Sequence, residues 1–117
     1  MHNGPDKIKY NKIELEKDSL VFELYYNPKI SINVILTYIR DNRYIQAREC
    51  VSIGHINMMG ACEFLSSKII HDCMSNLYNN CRNQYGLFFN LKNDKLLQFL
   101  QECDKDLLEE MKKITNN

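Results

Sequence analysis

The chain has 117 residues and a mass of 13.9 kDa, which suffices for one hydrophobic core and is too short for two. Fifteen Lys and Arg balance fifteen Asp and Glu, and the sequence pI of 6.8 excludes a polybasic mode of binding, so any nucleic-acid site has to be local. Hydrophobic residues at 44% and aromatics at 10% exclude a wholly disordered chain, because that much apolar area can offset the entropy of ordering.

In chain order, the first periodicity runs through Lys7 to Tyr26. Ile8, Tyr10, Ile13, Leu15, Leu20, Phe22, Leu24 and Tyr26 alternate with polar positions and predict two strands. Glu16-Lys17-Asp18-Ser19 supplies the turn between them, and a change of parity across Asn11-Lys12 points to a bulge or a second short break. Asn27-Pro28 ends the region, since proline lacks the donor a ladder needs. Ser31 then suits an N-cap, with Ile32, Ile35, Leu36 and Ile39 at the i, i+3, i+4, i+7 spacing of a buried stripe, which predicts a helix to about Asn42. Asp41-Asn42 is a turn, and Tyr44 to Ile53 reads as a second helix stopped by Gly54-His55.

Met58 to Leu65 fits either a buried strand or a helix. Its helical form joins Cys62, Leu65, Ile69, Cys73 and Leu77 into one stripe; its extended form makes a central strand that feeds a helix from Ile69 to Tyr85. Gly86 to Leu91 predicts a short buried strand. Asn93 or Asp94 caps a C-terminal helix carrying Leu96, Leu97, Leu100, Cys103, Leu107, Met111 and Ile114. The expected core is Ile35, Ile39, Cys62, Leu65, Leu77, Phe88, Leu91 and Leu100. The expected architecture is one domain over 1–117, of α/β class: a small α-β-α sandwich with a short mixed sheet at 29–117, preceded by an N-terminal β-hairpin or strand pair at 1–28.

Cys50, Cys62, Cys73, Cys81 and Cys103 form an odd set in apolar contexts, with no Cys-x-x-Cys pair. Reduced, packed thiols are expected, and no metal site. No apolar run approaches the roughly 20 residues that cross a bilayer, and Met1 to Lys12 has no apolar signal stretch, so a cytoplasmic location without a membrane partner is expected. Nucleophile-elbow glycines, a phosphate-cradling loop and His-Glu-x-x-His are all lacking. His71-Asp72-Cys73 sets a base, a carboxylate and a thiol side by side, but adjacent helical residues point apart, so a surface His71 and a packed Cys73 are expected. No enzyme activity, cofactor or small-molecule substrate is implied.

Recognition by surfaces remains. Arg40, Arg43 and Arg48 lie close to a turn, and Lys7, Lys9, Lys12 and Lys17 cluster near the N-terminus; on charge alone a solvated mixed-charge exterior is the favoured account of each group, since an RNA-bound patch needs locally unbalanced positive charge. Tyr38, Tyr44 and Tyr85 have rings that can stack on unpaired bases or pack half-buried.

From Thr37 to Leu100 the chain resembles the kink-turn-binding ribosomal protein superfamily, and is most similar to its small-subunit branch in eukaryotes. Ile39 and Asp41 match the end of the family's first helix, Arg48-Glu49 its next helix start, Cys62 with Ser66 its first core strand, and Cys81 the close of its middle helix. Gly86 to Leu91 matches its second strand, and Asn93 to Leu97 the start of the following helix. The resemblance implies a non-enzymatic structural or associated protein of the small ribosomal subunit, contacting ribosomal RNA and ribosomal proteins. Arg48 stands where kink-turn binders carry Asn, which departs from kink-turn recognition, and the family's closing strand is missing after Cys103. On this reading Arg40, Arg43 and Arg48, with Lys7, Lys9 and Lys12, touch RNA. A second resemblance, of Ala61 to Leu65 with Leu77-Tyr78 and Tyr85-Gly86-Leu87, is to the junction of a BTB domain with its BACK helices, and implies a protein-protein interaction adaptor. A ribosome-bound regulatory factor using the same surfaces is a third possibility.

Overall fold

The structure, a computed structural model, describes residues 6–27, 30–85 and 92–115. Four strands follow one another as an antiparallel meander in the order β1-β2-β3-β4: β1 is Asp6–Leu15, β2 Asp18–Asn27, β3 Ser31–Arg40 and β4 Arg43–Ser52. Three helices complete the chain: α1, Ile53–Met59; α2, Cys62–Tyr85; and α3, Asp94–Thr115. The class is thus α/β, and the N-terminal strand pair forms as the alternation from Lys7 to Tyr26 requires.

Strand parity decides what is core. Leu20, Phe22 and Leu24 of β2, Ile32, Val34, Leu36 and Tyr38 of β3, and Ile45, Ala47 and Val51 of β4 share one face and are buried. Against that face α2 lies under β3 and β4, and α3 packs beside α2 and reaches β1. The helices bring Cys62, Leu65, Ile69, Cys73, Leu77 and Cys81 from α2, and Leu96, Phe99, Cys103, Leu107 and Met111 from α3, into the same cluster. Asn93 caps α3, its side-chain oxygen accepting from the backbone N–H of Lys95 at 2.9 Å.

Several expectations are corrected. Residues 31–42 and 44–53 do not form helices: the first is β3 with its turn and the second is β4 with the start of α1. The helical stripe of Ile32, Ile35, Leu36 and Ile39 arises because β3 is a central strand with apolar residues on both faces, so it satisfies period 3.6 and period 2 together; its β-branched Ile32, Val34, Ile35, Thr37 and Ile39 favour the strand. Ser31 is the first residue of β3 rather than a cap, and its hydroxyl accepts from Asn33 Nδ2 at 3.2 Å. Gly54-His55 does not stop a helix but lies in α1, whose N-cap is Ser52, accepting from the His55 N–H at 3.0 Å. The sheet is antiparallel throughout the described strands rather than mixed, and the described helices cover one of its faces only, so the α-β-α sandwich is not formed.

The bulge lies at Ile8, between Lys7 and Lys9, not at Asn11-Lys12, and it lets Ile8 join Ile13 and Leu15 against the core. Where the extended alternative needed a strand at 58–65, α1 ends at Met59, Gly60 caps it at a φ of 63°, and α2 begins at Cys62, so that Cys62 to Leu77 make the single stripe of the helical alternative. The predicted strand at Gly86 to Leu91 lies outside the described residues, with Phe88 and Leu91.

The element pattern behind the kink-turn-binder resemblance is correspondingly altered. Ile39 and Asp41 end a strand and open a turn, Arg48-Glu49 lie inside β4, and Cys62 with Ser66 begin a helix. No described helix is long and apolar enough to cross a membrane.

Candidate nucleic-acid interface

The sheet has a second face, turned away from the helices. Cross-strand registry sets its rows: Tyr10, Glu23, Ile35 and Arg48 in one; Lys12, Val21, Thr37 and Gln46 in the next; Glu14, Ser19, Ile39 and Tyr44 in a third. Lys7, Tyr25, Asn33 and Cys50 form a row on the other side of Tyr10. Val21, Ile35 and Thr37 are buried under long neighbours, whereas Tyr10 and Tyr44 expose 54% and 66% of their surface. Rings exposed to that extent are available for contact with another molecule.

A shallow groove of about 410 Å³ runs between those two tyrosines, floored by Val21, Thr37 and Ile39 and rimmed by Arg43 and Gln46. Lys7, Lys12 and Arg48 stand on the same face, with Arg43 at its end beside the Asp41-Asn42 turn. Against Lys7, Lys12 and Arg48 the strands' outward face carries two carboxylates, Glu14 and Glu23, and Arg43 adds a fourth cation at the groove's end, so the face is locally basic in a chain of net charge zero.

Internal contacts hold these groups in place. Lys7 Nζ lies 3.5 Å from Glu23 and 5.3 Å from the Tyr10 ring centroid. Lys12 pairs with Glu14 at 3.1 Å, and the Tyr25 hydroxyl donates to Glu23 at 2.6 Å. That hydrogen bond, then burial, then the Glu23 charge, raise the Tyr25 pKa, while Arg48 acts the other way. Exposed lysine-carboxylate pairs are worth little in water, so a phosphate can replace either carboxylate as the partner.

The sequence-predicted cations divide. Arg43 reaches the groove's rim from the strand end, and Lys7, Lys12 and Arg48 are gathered on the groove face. Arg40 is not: it donates from Nε and Nη2 to both carboxylate oxygens of Asp18, the Nη2 contact at 2.8 Å, and closes the sheet end beside Tyr38. Lys9 points to the helix layer, 3.9 Å from Asp106 of α3, which also accepts from Asn11 Nδ2 at 2.8 Å. Lys17 sits in the β1–β2 turn.

Among the tyrosines, Tyr38 is in the core, and burial followed by the Asp18 carboxylate raises its pKa; Tyr44 is the exposed one, and the side chain of Tyr85 lies outside the described residues. Tyr10 was missed by the sequence, although its place out of phase with Ile13 and Leu15 marks it as outward-facing once the bulge lies before it.

Elsewhere, His71 is on the surface with its Nδ1 3.6 Å from Asp72, and Cys73 is fully buried under the sheet, its thiol donating to the Ala47 carbonyl at 3.4 Å. Among the described residues no three His, Cys, Asp or Glu side chains are grouped to hold a metal. A second concavity, of about 510 Å³, lies between α2 and α3 and is lined mainly by Ile70, Met74, Tyr78, Leu97 and Leu100. Comparison with known protein families, curated proteins and solved structures finds no match to this chain.

Proposed function

We propose that the chain is a non-enzymatic, cytoplasmic RNA-contacting protein of a ribonucleoprotein, with the small ribosomal subunit as its assembly, and that it meets RNA on the outer face of its sheet. One observation carries this: Lys7, Lys12 and Arg48 share an open face with the exposed rings of Tyr10 and Tyr44, and the groove between the rings is rimmed by Arg43. Cations track a phosphate backbone and exposed aromatic rings take stacked bases, so the combination suits unpaired RNA better than a duplex, whose bases are not free to stack. The side chains of the sheet support RNA contact, while the small ribosomal subunit as the assembly rests on the family resemblance alone.

Helical residues 62–85 and the apolar concavity beside them favour a second reading, a protein adaptor docking through α2 and α3. Ribonuclease separates the two. A native complex isolated with the tagged chain should release it on digestion if RNA holds it. Retention after complete digestion, together with no binding of a labelled single-stranded RNA by the purified chain, overturns RNA contact in favour of the adaptor.

A further inference from the structure

The two edges of the sheet are built differently. On β1 the edge is broken by the bulge at Ile8 and studded with Lys7, Lys9 and Lys12, and the Glu14 carbonyl is taken by Lys95 Nζ at 2.7 Å. These are devices that keep an edge from pairing. β4 has none of them: ten residues in unbroken register with β3, with no proline, lysine or bulge.

The turn before β4 fixes which of its backbone groups face outward. Asp41 and Asn42 have φ of 53° and 63°, the two left-handed residues of a type I′ hairpin turn. Arg40 and Arg43 are therefore the closing hydrogen-bonded pair, and bonding to β3 falls on Arg43, Ile45, Ala47, Glu49 and Val51. Tyr44, Gln46, Arg48 and Cys50 turn their N–H and C=O groups to the open side. All four residues are exposed, and among the described residues no backbone partner meets those groups.

The geometry points to a second copy of this chain as the occupant of that edge: two β4 strands paired antiparallel about a two-fold axis at Gln46, joining two sheets into one. The sequence of β4 is self-complementary about that residue. Gln46 meets Gln46 of the other copy, Tyr44 meets Arg48 on the outer face as a cation over a ring, Ile45 meets Ala47, and Arg43 meets Glu49 as an opposite-charge pair. The hydrogen-bonded positions then fall on Tyr44, Gln46 and Arg48 of each strand, which are the residues whose backbone groups face outward, giving about six inter-chain bonds.

Neighbouring registers lose this. Centring on Ala47 sets Glu49 against Ile45, and centring on Arg48 sets that arginine against itself. The inference goes beyond RNA contact but engages Tyr44, Arg43 and Arg48, which that reading also uses, so its test uses RNA-free protein.

Sedimentation velocity over a concentration series should give a reversible dimer. Arg43→Glu or Glu49→Arg alone, each setting like charges opposite one another, should weaken association at least ten-fold, and the double reversal should restore it. Gln46→Pro removes an outward N–H without touching the β3 ladder, so it should yield a monomer whose circular dichroism and melting temperature stay near those of the parent. In a Cys50→Ser background, Gln46→Cys should cross-link the two chains on mild oxidation, since facing Cα atoms lie about 5.5 Å apart, whereas Tyr44→Cys should not. A chain that stays monomeric to about 1 mM, or a dimer indifferent to the charge reversals and to Gln46→Pro, overturns the inference.

Discussion

Ile35 and Leu36 are consecutive residues of β3 and both are buried, but they lie on opposite faces of the sheet. Leu36 is fully enclosed, between Phe22 and Ala47 in its row and over the helix layer. Leu36→Ala removes about three methylene equivalents, or about 2.4 kcal/mol of transfer free energy. The cavity left between sheet and helix cannot fill with water, and it brings the total to about 3–4 kcal/mol. Ile35 has no helix above it; Tyr10, Glu23 and Arg48 cover it only by folding over, and water reaches the space when its side chain is removed. Ile35→Ala should cost about 1–2 kcal/mol.

Against a total stability of about 6–17 kcal/mol for a chain of this length, the first change shifts a urea midpoint strongly and the second modestly, at constant m value. Urea unfolding followed by far-ultraviolet circular dichroism measures both. Equal losses, or a larger loss at Ile35, would refute the two-faced strand, because a helical stripe holding both residues buries them alike.

Labelled single-stranded RNA provides the next test. If four cations each neutralise one phosphate, log K against log salt should have a slope of about −2.8, and Lys12→Ala with Arg48→Ala should reduce it to about −1.4; measured by fluorescence anisotropy, an unchanged slope removes these residues from the interface. Arg40→Ala and Lys9→Ala should leave that slope unaltered, since both side chains serve contacts within the fold. Among the thiols, Cys50 is exposed and should react with a disulfide reagent at once, while Cys62, Cys73, Cys81 and Cys103 should react only as fast as the chain opens; more than one fast thiol in the folded chain contradicts this.

Burial pushes the Cys81 thiol up to about 11 and the Cys73 thiol up to about 12. An acid whose pKa is higher folded than unfolded retains its proton in the native state while the unfolded chain loses it. Stability from these groups is therefore intact below pH of about 8.5 and falls as pH rises from there toward the folded values. Alkaline unfolding of the parent and of Cys73→Ala should differ in steepness above that point, with the parent losing stability faster.

The parts of the fold legible from sequence are those with one apolar face. β2 keeps Leu20, Phe22 and Leu24 in alternation with Val21 as the one buried residue on its other face, and α3 repeats at 3.6, so in each one period dominates. α2 also shows its stripe once the chain is helical from Cys62. The illegible parts are β3 and β4. β3 is apolar on the groove face as well as the core face, and that second set of apolar residues completes a false helical stripe. β4 combines alternating burial with Gln, Ala, Arg and Glu, residues of good helix propensity, and the sheet overrides that preference because Ile45, Ala47 and Val51 must line up with Tyr38, Leu36 and Ile32.

The candidate site was half legible for the same reason. Residue type alone groups Arg40 with Arg43 and Lys9 with Lys12, but strand parity turns Lys12 outward and Lys9 toward α3, and although Arg40 and Arg43 are register partners, Arg40 is drawn to Asp18 across the sheet end while Arg43 lines the groove. Parity also recruits Tyr10, eleven positions before Val21 yet beside it in the groove. A face assembled from alternate residues of four strands has no contiguous motif to find. Its basic character is invisible in a net charge of zero because the carboxylates sit elsewhere, many of them on α3, where Glu102, Asp104, Asp106, Glu109 and Glu110 lie on the far side of the core from the groove. Charge segregation across the core, rather than charge excess in the chain, is what leaves the groove face with more cations than carboxylates.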